Sequence, residues 1–429
     1  MKKIAFIALL SVSVLTIAGC GRTRTQKGKL PSGGTEVDIY SEEGQNKLMD
    51  IKSAVADKYS ENLLDSFGID ASISDVNYRV SLDNFNAANT FVSPMSASIG
   101  MENLGANLSF KAAKNSEGNV DASLTLDNVK GSCKIQANVP DFNGNPGDNH
   151  NPLKINSSLD FSGAKAAAYY QGEYVFIDAS GLDGLVSKAE SFANEIMDDL
   201  NQSFVAPYLP AEILSSLDGD GHLPLSQYWD SLFKDAPNKK MALYAGVTEW
   251  FSEEDQAALV SALRDVDIVS LLDSANEVGI NTSMVVYKEG TFGFELSIDK
   301  EVLLSAVSGL INSISGGEAP AYIFDIISES VNKFDVSLAI YFEDYLLTNV
   351  SLGVDVLVSA SDLSQFVPAE SRAEVGITGS ASISLSGAIS ADINYQNVKV
   401  SFPNFSDYVV VESDSFEDAL DDLEIGELF

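Results

Sequence analysis

The segment Asp218-Gly219-Asp220-Gly221-His222-Leu223 sets two carboxylates around glycines, a spacing at which side-chain oxygens at a tight turn bind Ca2+. In the register of a helix-flanked calcium loop, Asp218 and Asp220 take the third and fifth positions, Gly221 the sharp turn and Leu223 the apolar site. The same register puts Ser216 first and Gln227 last, where a bidentate acid belongs, so a polar surface turn competes with a Ca2+ pair made of Asp218 and Asp220. The only histidines are His150 and His222, and neither stands in an H-x-x-H or C-x-x-C setting, which excludes zincin and zinc-finger chemistry. Ser162/Lys165, Ser231/Lys234 and Ser330/Lys333 match S-x-x-K, but no K-T-G accompanies them. No G-x-S-x-G elbow, P-loop or dinucleotide glycine fingerprint occurs. The expectation is a protein without catalytic residues.

The remaining reactive residues are two cysteines, Cys20 and Cys133. Lys2 and Lys3 precede the apolar run Ile4 to Ala18, which is too short to cross a bilayer and reads as a signal peptide, residues 1–19. The run ends in Ile17-Ala18-Gly19-Cys20, which resembles the bacterial lipobox: an aliphatic residue, two small ones, then the cysteine that takes a diacylglycerol. The resemblance implies lipidation of Cys20, further acylation such as palmitate, and a place in the cell envelope outside the cytoplasm, at the outer face of the cell membrane or in an outer membrane. One acyl chain holds a protein only marginally, whereas two or three hold it stably. With Cys20 lipidated, Cys133 is left without an intrachain disulfide partner, so the body depends on its core.

Residues 20–40 are expected as a flexible tether, since Gly21 to Thr35 contains Gly, Thr, Ser32 and Pro31 with four cations and has little to bury. Its cations Arg22, Arg24, Lys27 and Lys29 would meet the lipid headgroups. The whole chain carries 62 acidic against 26 basic residues, a net charge of −36 that speaks for solubility and against nucleic acid. Residues 404–429 are expected as a solvated acidic tail: from Glu412 on there is no basic residue, and Phe416, Leu420, Leu423 and Leu428 offer a helical stripe to a partner.

Between tether and tail, 41–403 reads as an α+β body. Leu48, Ile51, Val55, Tyr59, Leu63 and Phe67 recur at helical spacing, predicting a helix over Ser41 to Phe67 with Gly68 as its cap. From Ile69 the period becomes two: Val76, Tyr78, Val80 and Leu82; Leu104 to Phe110; Val120 to Leu126; Ile135 to Val139; Ile155 to Phe161; Val336 to Phe342; Val350 to Val358. The longest alternation runs from Val375 to Tyr395 against Ser, Thr, Asp and Asn, and places Gly379 and Gly387 on the apolar side, where the strand would bend or turn into a hairpin. One apolar and one polar face is the pattern of an antiparallel sheet with one solvated side. Ser252 and Asp255 form a capping box ahead of another helix, and Ala321 to Phe334 reads as a helix too.

A weak internal repeat aligns Tyr169, Gly172, Tyr174 and Phe176 with Tyr287, Gly290, Phe292 and Phe294, each a hairpin followed by an amphipathic helix. The body is therefore either one large sheet or two similar halves, about 69–245 and 280–403. The expected fold class is a large curved antiparallel sheet, half-barrel-like, with helices packed on one face. With its lipid anchor and Tyr-Gly-aromatic hairpins such as Tyr170-Gln171-Gly172-Glu173-Tyr174, this pattern resembles the LolA-like and LppX/LprG-like half-barrel lipoproteins over most of Ile69 to Phe402. The resemblance is one of pattern, and this chain is much longer than one such unit. It implies a hydrophobic ligand, such as lipid, between sheet and helices, for which Phe192, Ile196, Leu303, Val307, Leu310 and Ile314 are the candidate lining and ordinary core packing the competing reading. The other functional reading is an adhesion or protein-interaction lipoprotein with a solid core.

Overall fold

The computed structural model describes residues 28–61, 65–87, 94–140, 151–210, 217–219, 221–298, 300–305, 308, 321–367, 371–395 and 397–412. Cys20, Asp220, Val307, Leu310, Ile314 and the tail from 413 onward lie outside the described residues. Fourteen strands form one open sheet: β1 (Thr35–Val37), β2 (Ser66–Asn86), β3 (Met95–Lys114), β4 (Val120–Val139), β5 (Leu153–Asp160), β6 (Ala166–Gln171), β7 (Tyr174–Asp178), β8 (Lys240–Tyr244), β9 (Asn281–Lys288), β10 (Thr291–Ile298), β11 (Val331–Glu343), β12 (Leu346–Ala360), β13 (Thr378–Asn394) and β14 (Val409–Val411). Their order is β1-β9-β10-β11-β12-β13-β2-β3-β4-β6-β7-β8-β14, with β5 also on β4, and β14 with β8 is the parallel pair. The expected α+β class, a curved antiparallel sheet with helices, is what the chain adopts. The helices are α1 (Glu42–Glu61), α2 (Asp183–Asn201), α3 (Leu225–Leu232), α4 (Glu253–Asp265), α5 (Ile268–Glu277), α6 (Ala321–Ser330) and the single turn α7 (Arg372–Val375). None of the described helices is long and apolar enough to cross a membrane.

Alternation decides the two faces. On one, Phe294, Ile340, Val350, Ala391, Ala71 and Leu108 lie on successive strands; on the other, Ser351, Ser390, Ser72 and Asn107 do. Helix α1 lays Leu48, Ile51 and Val55 on the apolar face against Met284, Phe292 and Phe294, and α5 joins through Ile268 and Leu272. At the other end Phe233, beyond α3, packs with Met241 and Ala179 on the same face. The Ser252 capping box is present at the start of α4.

The three longest central strands, β2 to β4, run 20 or 21 residues, and a line of irregularities crosses them together with β13 at one level. Pairing slips around Asp75 in β2, Asn103 in β3, Asn128 and Gly131 in β4, and Gly387 in β13. Asp75, Asn103 and Asn128 take φ of 51, 52 and 50°, a left-handed conformation that Asp and Asn tolerate better than most residues. At Gly387, φ is 153° and a Cβ would lie 2.6–2.7 Å from Val76, so only glycine fits the approach of β2. Bulges bend a strand and raise its twist; aligned across four strands they form a crease. At this crease β4 changes partner, pairing with β6 through Ala122 to Leu126 and with β5 from Ser132 onward.

Several boundaries differ from the expectation. The helix predicted to Phe67 ends at Glu61, and Phe67 and Gly68 belong to β2, where Phe67 packs on Phe110 and Tyr395; its apolar spacing was in phase with both periods. Phe334 lies in β11 and Val375 in a helical turn. Of the two outcomes expected at Gly379 and Gly387, a bend or a hairpin, the hairpin does not form: both mark bulges in one continuous strand. The tether's second part, residues 28–40, is docked and contains β1, because backbone pairing with β9 supplies what its composition does not. Residues 404–412 likewise belong to the body: Phe405 stacks on Phe176 and β14 extends the sheet beside β8.

Both hairpins of the repeat form, β6-β7 and β9-β10, with Gly172 and Gly290 at the turns. They stand near opposite ends of the same sheet, each followed by helical segments and then by a strand, β8 or β11, antiparallel to the hairpin's second strand.

Candidate functional site

The crease divides the apolar face. Below it Ile69, Ala71, Ala391 and Ile393 are buried with Phe67, Phe110 and Tyr395 around them. Tyr59 of α1 closes this end: its hydroxyl donates to Tyr395 Oη at 3.0 Å, and the two rings meet edge to face. Burial pushes both phenols up from their ordinary pKa. Trp250 closes the lower ends of β3 and β4 over Ala112 and Val120.

Above the crease the rows of side chains keep the same composition, but several of their side chains are exposed. One row runs Val356, Leu385, Tyr78, Met101, Cys133, Leu159 across β12, β13, β2, β3, β4 and β5. The next runs Val358, Ile383, Val80, Ile99, Ile135. The last begins Ala360, Ala381, Leu82, Ala97 and ends in Ala137 and Ile155, its alanines lowering the floor. Ile383 is 49% exposed and Ile99 44%, and Leu385 is exposed as well. No Asp, Glu, Lys, Arg or His stands in these three rows. Contiguous exposed apolar surface of this kind marks a binding surface more often than an isolated side chain does. Cys133 sits half-buried in the floor, where burial pushes its thiol pKa up.

Helices flank this floor. On one side α2 lies along β5, where Lys188 Nζ donates to Asp160 Oδ2 at 2.8 Å. Those hydrogen bonds from Lys188 and Ser162 hold the Asp160 carboxyl well below the usual carboxylate range. Leu223 N–H donates to Asn194 Oδ1 at 2.8 Å and Trp229 Nε1–H to Asp183 Oδ1 at 2.7 Å, fixing the α3 segment on α2. On the other side α6 packs beside β11, β12 and the turn Leu363–Phe366.

The predicted lining is distributed over the two flanks. Phe192, with Ser158, Asp160, Ser187, Lys188, Ser191 and Glu195, borders a polar crevice of about 400 Å³ at the β5 edge, and Ile196 is half-buried on the same helix. Leu303 is half-buried in the helical residues 300–305 that follow β10, next to Val302, which stands against Gly279. The floor itself was missed by a reading that assigned the lining to helices. Its signal was available: the apolar side of β2 and β13, and of β3 from Met95 to Ala112, carries no charge.

Asp218 is exposed, its Oδ1 accepts the His222 N–H at 2.9 Å, and its carbonyl accepts the Gly221 N–H at 3.0 Å, so this carboxylate serves a turn. His222 Nε2 meets Asp198 Oδ1 at 3.3 Å. Among the described residues no group of three or more His, Cys, Asp and Glu is placed to hold a metal ion. Of the S-x-x-K pairs, Ser330 Oγ donates to the Ile326 carbonyl and Lys333 pairs with Asp355, so that pair is not joined to one function.

Compared with protein-family models and with curated proteins, the chain matches none.

Proposed function

We propose that this chain is a non-enzymatic, lipid-anchored envelope protein that holds a hydrophobic ligand, an acyl chain or similar lipid, on the apolar face above the crease. The observation that carries this reading is the uncharged row Ile383, Val80, Ile99 and Ile135 on four adjacent central strands, in which Ile383 and Ile99 are exposed, with Leu385 exposed in the row beside it. Burying a large aliphatic side chain is worth about 1.5–3 kcal/mol relative to leaving it in water. A face that forgoes this stabilisation at several positions is suited to recover it with a ligand. The flanking helices α2 and α6 supply walls, as in clefts between sheet and helices that take apolar molecules. The lipobox-like Cys20 supplies the anchor in this reading, and the lack of a G-x-S-x-G, P-loop or H-x-x-H motif in the sequence supports a binding role.

Cys133 offers a direct test because it lies in the floor. The Cys20→Ser chain, made without lipid, is incubated with a fluorescent fatty acid or extracted and analysed by mass spectrometry. The expected outcome is a bound lipid that slows alkylation of Cys133 and is lost in Ile383→Ser. A protein that carries no lipid, binds no probe and shows an unchanged Cys133 rate has a face serving protein contact, the reading of an interaction lipoprotein.

A further inference from the structure

The lipid anchor read at Cys20 lies only eight positions before Gly28, and Gly28 is already docked. Its N–H donates to Ser351 Oγ at 2.9 Å on the polar face of β12. Leu30 N–H donates to Glu295 Oε2 at 3.0 Å, Lys29 Nζ stands 3.4 Å from Glu295, and the Tyr287 hydroxyl donates to the Pro31 carbonyl at 2.6 Å. The segment then joins the sheet as β1, paired with β9 from Thr35 to Val37. Gly28 has φ of 74° and a Cβ there would lie 2.1 Å from the Ser337 carbonyl oxygen, so the chain lies directly on the strands. Ser337, Asn349 and Ser351 are buried on this otherwise polar face.

From this arrangement we infer that the polar face of β9 to β12 is the side turned toward the anchoring bilayer, with the apolar floor on the side away from it. The inference rests on the lipobox reading and adds an orientation to it. Eight residues span at most about 26–29 Å, whereas a tether free to residue 40 would span about 66–72 Å. The body is therefore held by its polar face close to the headgroups. The chemistry agrees: Arg22, Arg24, Lys27 and Lys29 fall between the anchor and this face, and Lys29 already sits on Glu295, so the cations separate an acidic protein from an anionic surface. A cleft on the opposite side then opens away from the bilayer that holds the protein.

The test uses the full lipidated chain in vesicles of phosphatidylcholine and phosphatidylglycerol containing an acceptor-labelled lipid. Cys133 is replaced by Ser, and a donor dye is placed at Asp335→Cys on the polar face or at Leu271→Cys on α5, which packs on the apolar side and leaves Leu271 exposed. The expected result is a larger loss of donor emission from position 335 than from 271, with the difference removed by Gly28→Val and reduced by the milder pair Tyr287→Phe with Glu295→Gln. Equal quenching, or stronger quenching at 271, on protein whose Cys20 is shown by mass spectrometry to be acylated overturns the orientation alone. Unacylated Cys20 overturns the anchor and the orientation with it.

Discussion

Below and above the crease, the same four strands present the same kinds of residue on their apolar side and come to opposite ends. Ile69 is 2% exposed where Ile383 is 49% exposed, although both lie within regular alternations. The lower half is also covered on its polar side, by residues 28–31 over β9 to β12 and by Phe402 and Phe405 over Tyr169 in β6. Strand period therefore determines which face is apolar, and chain from elsewhere determines whether that face is filled. The lower half is a core, with α1, α5 and Trp250 as its lid; the upper half is a floor between two helical walls.

The sharpest way to break this contrast is to remove side chains from each half. Leu48, which α1 buries against the sheet at 1% exposure, should cost about 2–5 kcal/mol of stability as Leu48→Ala, the range for deleting a buried aliphatic side chain. Ile383→Ser above the crease should stay within about 1 kcal/mol, since half of its surface is already in water. Urea unfolding followed by tryptophan fluorescence measures both, and a loss at Ile383 equal to that at Leu48 would mean the upper face is core after all. Next in size is the crease itself. Gly387→Ala forces a side chain into a left-handed conformation against Val76 and should cost about 1–3 kcal/mol by the same measurement. Its effect on ligand binding should exceed that of its stability loss, because the bulge sets the angle between the two halves.

The fold was readable in the sequence to the extent that one period dominated each stretch. Alternation in Val76 to Leu82 and in Ile377 to Tyr395 gave the strands and their faces, and Ser252 with Asp255 gave a helix start, because these signals are local. Phe67 was ambiguous for a physical reason: it continued the spacing of α1 and also began the alternation of β2, and tertiary contact with Phe110 and Tyr395 decided for the strand. The docking of residues 28–40 was not legible, since it depends on Ser351, Glu295 and Tyr287, more than 250 positions away. The candidate site was half legible. Its lack of charge was visible in the rows, but the exposure of Ile383 and Ile99 depends on chain distant in sequence, which no local pattern records.

The smallest effect concerns the polar-side cover of the lower half, where Tyr287 holds Pro31. Burial, with the nearby Tyr341 and Glu295 charges, pushes the Tyr287 phenol up to about 12, above the value near 10 of an unfolded chain. The folded state then retains a proton that the unfolded state releases, so this group's contribution is complete below pH 10 and is lost as the pH rises through 10 to 12. Tyr287→Phe removes that alkaline dependence and, through the hydrogen bond to Pro31, should cost about 0.5–1.5 kcal/mol at neutral pH. Amide hydrogen exchange reads where the loss falls. Faster exchange confined to 28–37 and β9, with Ile383 and Ile99 unchanged, is expected of a strap that covers only the closed half; acceleration spreading into β2 and β3 would show that the two halves open together, and the crease would then bend one cooperative sheet without separating two functions.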